Sequence, residues 1–168
     1  MGSCFRPMIA ALSLLAGYAS AAPPLRIFGA PQKACGLLAA EGFATPAWVP
    51  TSFGYECSST NLRIDYIVSG DDGSKAKRIK LILDLRYQPG KDLDARTAEF
   101  DRLATTMLIR LGLTPSPALH DAIQTTHQFR QEQPGAHITF DPGRRPFNRQ
   151  VLIVRDPSIR VVTIPRSP

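Results

Sequence analysis

Three sets of residues in this sequence have the types and spacing to do chemistry: two cysteines, three histidines, and a cluster of arginines around one phenylalanine. Cys35 and Cys57 bound the stretch ACGLLAAEGFATPAWVPTSFGYEC apart from its first alanine. A CxxC redox pair needs its thiols close in sequence, and a zinc site needs four ligands, so two isolated cysteines suit neither. They suit one structural disulfide, with two buried free thiols as the alternative. His120 and His127 lie seven residues apart on a predicted helix, two turns and about 10 Å from each other. One zinc ion would not reach both, and no HExxH pattern accompanies them. His137 falls on a predicted strand. The sequence therefore assigns no metal.

Other chemistries fail on pattern. SGDDGSK concentrates Asp71 and Asp72 but lacks the alternating oxygen ligands and the closing glutamate of a calcium loop. Nucleophilic catalysis lacks a GxSxG elbow. Ser58, Ser59 and Thr60 have no base near them in sequence. Asp92 with Asp94, and Asp65 with Asp84, read more simply as helix capping and solvated strand faces than as acid–base pairs. Neither GxxxxGK[ST] nor GxGxxG occurs, so no cofactor is assigned. These absences argue against an enzyme, and no catalytic residue is named.

What stands out is DPGRRPFNRQ, which holds Arg144, Arg145 and Arg149 around Phe147. Arginine forks recognise carboxylate and phosphate, and an aromatic on a loop can anchor a partner. Arg155, Arg160 and Arg166 add charge further along the chain. KAKRIK, at Lys75–Lys80, is a second basic run; alternation is expected to split its charges between faces. The contact surface predicted from sequence is Arg144, Arg145, Phe147 and Arg149.

The elements that must position these residues can be read from periodicity. PQKACGLLAAEG reads as a short helix, with Pro31 at its first position, Gly42 just past its end, and Leu37 and Leu38 as core contacts. FGYECSS reads as a strand that a Cys35–Cys57 bond would pin to that helix. LRIDYIVS and AKRIKLILDLRY alternate about a GDDG turn, which predicts a hairpin. Pairing Ser69 with Ser74 would place Ile64 opposite Ile79, Leu62 opposite Leu81, and Asp65 opposite Arg78. DLDARTAEFDRLATTMLIRLG carries the strongest helical stripe: Phe100, Leu103, Ala104, Met107, Leu108 and Leu111. Ser116 and Pro117 open another helix, read to about Phe129. GAHITFD, RQVLIVRD and IRVVTIP read as three further strands, the last two joined by a turn at Asp156-Pro157-Ser158. The fold class is α+β: a mainly antiparallel sheet of about six strands with three helices, in the order α-βββ-αα-βββ, the helices on one face.

The chain begins MGSCFRPMIAALSLLAGYASAAPP. Arg6, the apolar run from Met8 to Gly17, and Ala19-Ser20-Ala21 form the three parts of a secretory signal peptide. The run is too short to span a bilayer. Residues 1–21 thus read as a signal peptide and 22–168 as one α+β domain in a secreted or periplasmic protein. Cys4 would leave with the leader, so Cys35 and Cys57 would be the remaining thiols in an oxidising compartment. The formal net charge of +6 becomes +5 once Arg6 is removed. An exported basic protein meets lipid head groups, acidic polymers or acidic proteins, and no nucleic acid is expected. The function read from sequence is a small binding protein for an envelope protein or an anionic envelope polymer. The alternatives are an inhibitor or immunity-type protein against an acidic partner, and a hydrolase with a dispersed active site. Intact-mass measurement on exported protein should show Ala22 as the N-terminus; a dominant species that keeps Met1–Ala21 would contradict this.

Overall fold

The computed structural model describes residues 25–85, 90–143 and 149–158. The leader (residues 1–21), the predicted strand IRVVTIP, and Arg144, Arg145 and Phe147 lie outside the described residues. Seven strands are described: β1 Val49–Thr51, β2 Gly54–Asn61, β3 Ile64–Gly70, β4 Arg78–Asp84, β5 Phe129–Gln133, β6 Ala136–Asp141 and β7 Arg149–Arg155. They form one antiparallel sheet in the order β1-β2-β3-β4-β7-β6-β5. Three α-helices accompany it: α1 Pro31–Cys35, α2 Gly90–Arg110 and α3 Pro117–Thr125. The α+β class and the antiparallel sheet agree with the sequence reading. No helix among the described residues is long and apolar enough to cross a membrane.

Alternation decides which way each strand faces. Val68, Ile79, Val154 and Ile138 stand side by side across β3, β4, β7 and β6, and Tyr66, Leu81, Leu152 and Phe140 form the next row. All eight are buried. The helices cover this face. Phe100, Leu103, Ala104, Met107 and Leu108 of α2 are buried, and the Phe100 ring meets Phe140 of β6 at 6.2 Å between centroids. α3 adds Leu119, Ala122 and Ile123. Local chemistry sets the helix ends. Gly112, at φ +75°, takes the left-handed conformation after α2, and Ser116 Oγ accepts the Leu119 amide at 3.2 Å to cap α3.

Several details differ from the sequence reading. The seven strands among the described residues are five of the six expected, plus Val-Pro-Thr as a short edge strand and FRQEQ as β5. α3 stops at Thr125, with Thr126 at φ +56°, and so does not reach Phe129. The first helix is broken at Gly36 and resumes as a 3-10 turn at Ala39–Glu41, consistent with the low helix propensity of glycine. α2 begins at Gly90, so Asp92 sits in its first turn and does not cap it. The β3–β4 hairpin pairs Ser69 with Arg78, four residues beyond the expected register, because Asp71–Lys77 form a longer loop. An even shift keeps the apolar set on the core face. Asp65 now lies opposite Ile82. Leu62 leaves the core face altogether: with Arg63 it forms the two-residue β2–β3 turn, at φ +50° and +64°, and it is exposed. β4 and β6 pair with the two edges of β7, and the strand IRVVTIP expected to follow it lies outside the described residues.

The N-terminal segment is fastened to this sheet by unlike bonds. Cys35 and Cys57 form a disulfide with Cα atoms 6.0 Å apart, joining α1 to β2. Beside it the Tyr66 hydroxyl donates to the Ala34 carbonyl at 2.7 Å, fully inside the core, where burial raises the phenol pKa. Asn61 Nδ2 donates to the Glu41 carbonyl at 2.9 Å. The Glu41 carboxylate accepts from Arg102 and Arg110 of α2, both at 2.7 Å. The Arg102 hydrogen bond is the main reason its pKa lies below the usual carboxylate range. Replacing Cys35 and Cys57 with alanine should lower unfolding free energy by about 3 kcal/mol. Tyr66→Phe should lower it by about 0.5–1.5 kcal/mol, the net worth of one hydrogen bond, since the Ala34 carbonyl keeps the Leu37 amide at 3.1 Å. Urea unfolding measures both; an unchanged midpoint for either would remove that bond from the account.

Candidate functional site

The face of the sheet turned away from the helices carries the other half of each alternating pattern. The registers arrange it in rows. One row runs Glu56, Ser69, Arg78, Arg155, His137, Glu132 from β2 to β5. The next runs Ser58, Ile67, Lys80, Ile153, Thr139, Arg130. The third runs Thr60, Asp65, Ile82, Val151, Asp141, and Asp84 with Arg149 follow beyond it. Arg78, Arg155, Lys80 and Arg130 therefore gather in the first two rows, with Glu56 and Glu132 at the outer ends of the first, while Asp65 and Asp141 lie in the third.

Arg78 and Arg155 are directly paired in register on neighbouring strands. Like charges so placed are unfavourable. Lys80 and Arg130 belong to the adjoining row, and among the described residues none of the four makes an ion pair or a side-chain hydrogen bond. The Arg155 Nε is shut off from solvent and has no acceptor among the described residues. Burial lowers the Arg155 pKa, and the Arg78 and Arg130 charges add to that. The Lys80 pKa is lowered first by burial and then by Arg78; Glu56 opposes the shift and Arg155 adds to it. Two concavities open on this end. A hollow of about 670 Å³ is lined in part by Arg130, His137, Thr139, Val151, Ile153 and Arg155. A second, of about 300 Å³, lies against Arg78 and Lys80 and is bounded by Phe53, whose side chain is almost wholly exposed.

Of the contact residues predicted from sequence, Arg144, Arg145 and Phe147 lie outside the described residues. Only Arg149 is described, and its Nε donates to Asp84 at 3.3 Å. Asp141 accepts the Gly143 amide at 2.9 Å. A Cβ on Gly143 would lie 2.3 Å from the Arg149 carbonyl oxygen, so the backbones of Gly143 and Arg149 meet in close contact. The basic run Lys75–Lys80 is not split between faces as expected. Arg78 and Lys80 share the face opposite the helices, while Lys77 precedes the strand and pairs with Asp71 at 2.5 Å. The parity of Ile79 and Leu81 was the signal for this. The juxtaposition of β4 with β7 had no local signal.

The remaining candidates stay apart. His120 pairs through Nδ1 with Asp101 Oδ2. His127 lies past the end of α3 and contacts Thr125 Oγ1 at 2.9 Å. His137 is 3.9 Å from Glu132. No group of three metal-ligating side chains occurs among the described residues. Asp72 accepts from the Ser74 amide at 2.8 Å and from its hydroxyl at 2.6 Å, closing a turn. Thr60 Oγ1 donates to Asp65 at 2.7 Å.

The repulsion makes a stability prediction. Arg78→Thr should stabilise the protein by about 0.2–1 kcal/mol. The gain should be larger at low salt than at high salt, because salt screens the repulsion that is removed. Urea unfolding at both salt levels checks this, and destabilisation at low salt would show that Arg78 is already neutralised. No protein-family model, curated protein or solved structure matches the chain.

Proposed function

We propose that this is an exported, periplasmic-type binding protein whose outer sheet face recognises an anionic group on an envelope protein or envelope polymer. One observation carries the reading: Arg78 and Arg155 pair across neighbouring strands, with Lys80 and Arg130 in the next row, and no described carboxylate bonds to any of them. Such an arrangement lowers stability, and an anion relieves it. The partly exposed Arg155 guanidinium then gains an anionic partner that the described residues do not supply. Export is supported by the leader pattern of residues 1–21 and by the Cys35–Cys57 disulfide. Arg144, Arg145 and Phe147, which fall between β6 and β7 in sequence, stand in this reading as further contacts. An inhibitor or immunity-type protein would use the same surface against an acidic partner. For a hydrolase, the described residues offer His120 beside Asp101, with the His120 side chain exposed and without an adjoining nucleophile.

The experiment compares two charge-matched variants on immobilised polyglutamate and on an acidic polysaccharide. One carries Arg78→Gln, Lys80→Gln and Arg155→Gln. The other carries Arg26→Gln, Lys33→Gln and Lys75→Gln, all exposed positions. Hydrogen bonds to charged groups contribute about 1.5–3 kcal/mol each, so the first variant should bind at least about tenfold more weakly. The control should change little. Equal elution of both variants across a salt gradient would reduce the reading to bulk charge.

A further inference from the structure

The larger hollow does not hold charge alone. Arg155 and His137 stand at one end, Arg130 and Thr139 beside them, and Ile153 and Val151 continue the floor along β7. Ile82 extends that floor onto β4 opposite Val151. These aliphatic side chains are half-buried and face away from the helix layer. From the row of Arg155 to the row of Val151 is four residues of strand, about 14 Å, the scale of a medium alkyl chain. Asp141 lies beyond Val151 in the same row and lines the hollow, so a second negative group at that end is repelled. A hollow of this volume falls in the range of small-molecule sites, which combine an apolar lining with a few placed polar groups.

We infer that the hollow over β5, β6 and β7 binds a single-headed anionic amphiphile, its phosphate or carboxylate held by Arg155 and Arg130 and its apolar chain lying over Ile153 and Val151. The inference rests on the anion-recognition reading and names the chemistry of its ligand. A phosphate head pairs with the partly exposed Arg155 guanidinium, which finds no acceptor among the described residues, and its charge offsets the repulsion from Arg78 and Arg130. The chain covers aliphatic surface that water otherwise meets.

Calorimetric titration of the full mature protein with decyl phosphate, inorganic phosphate and decanol, all below micelle formation, tests this. Decyl phosphate should bind at least about tenfold more tightly than inorganic phosphate, a difference of about 1.4 kcal/mol. Arg155→Gln should weaken decyl phosphate and inorganic phosphate but leave decanol unchanged. Ile153→Thr should weaken decyl phosphate and decanol but leave inorganic phosphate unchanged. If inorganic phosphate binds as tightly as decyl phosphate, the site is for a free anion, and the amphiphile falls while anion recognition stands. If decyl phosphate does not bind and sedimentation shows a dimer, a second copy occupies the face and the inference is overturned. If neither the amphiphile nor phosphate nor the acidic polymers are retained, the reading beneath it falls as well.

Discussion

One-sided burial of the sheet is the constraint on which the rest of this structure depends. Helices α1, α2 and α3 cover a single face, and alternation sends every second side chain to the other. Because β4 buries Ile79, Leu81 and Leu83 and β7 buries Gln150, Leu152 and Val154, Arg78, Lys80 and Arg155 have no place except the outer face. The β4–β7 register then brings Arg78 and Arg155 side by side. The crowding of cations is thus a consequence of core packing plus strand order. Folding tolerates it because the rows Val68–Ile79–Val154–Ile138 and Tyr66–Leu81–Leu152–Phe140 bury far more apolar surface than a screened repulsion offsets.

A second set of bonds holds the first helical segment onto the covered face. The disulfide joins α1 to β2, Tyr66 fixes the same turn through Ala34, and Glu41 bridges to Arg102 and Arg110 on α2. These bonds lie on the helix side of the sheet, apart from the cationic rows. Changes to Arg78, Lys80 or Arg155 therefore probe recognition without touching the clamp. The separation also explains why the cysteines, the most conspicuous residues in the sequence, belong to the scaffold.

Much of this was legible in advance where the signal was local. The α2 stripe, the Ser116 cap, the Gly112 terminator, the core parity of β3, β4, β6 and β7, and the Cys35–Cys57 bond follow from spacing and residue type. Val49–Thr51 and FRQEQ carry little apolar alternation, and they pair as edge strands because a neighbour offers hydrogen bonds. The β3–β4 register was misplaced because the GDDG signal sits inside a longer loop, where Asp72 bridges to Lys75. The cationic site was half legible. Parity placed Arg78 and Lys80 on one face, but their meeting with Arg155 depends on a pairing between strands more than sixty residues apart in the chain. Attention to the dense run around Phe147 followed local composition, whereas the surface assembled by the sheet draws one or two cations from each of several strands.

The most direct test of anion recognition by this face is to observe the Arg155 guanidinium itself. Nuclear magnetic resonance of arginine-labelled protein, titrated with inorganic phosphate and decyl phosphate, reports on its N–H protons. The account predicts that their resonances move downfield and exchange more slowly with water as ligand is added, with Arg78 and Arg130 shifting in parallel. A saturable response confined to other arginines, with Arg155 unchanged, would contradict it.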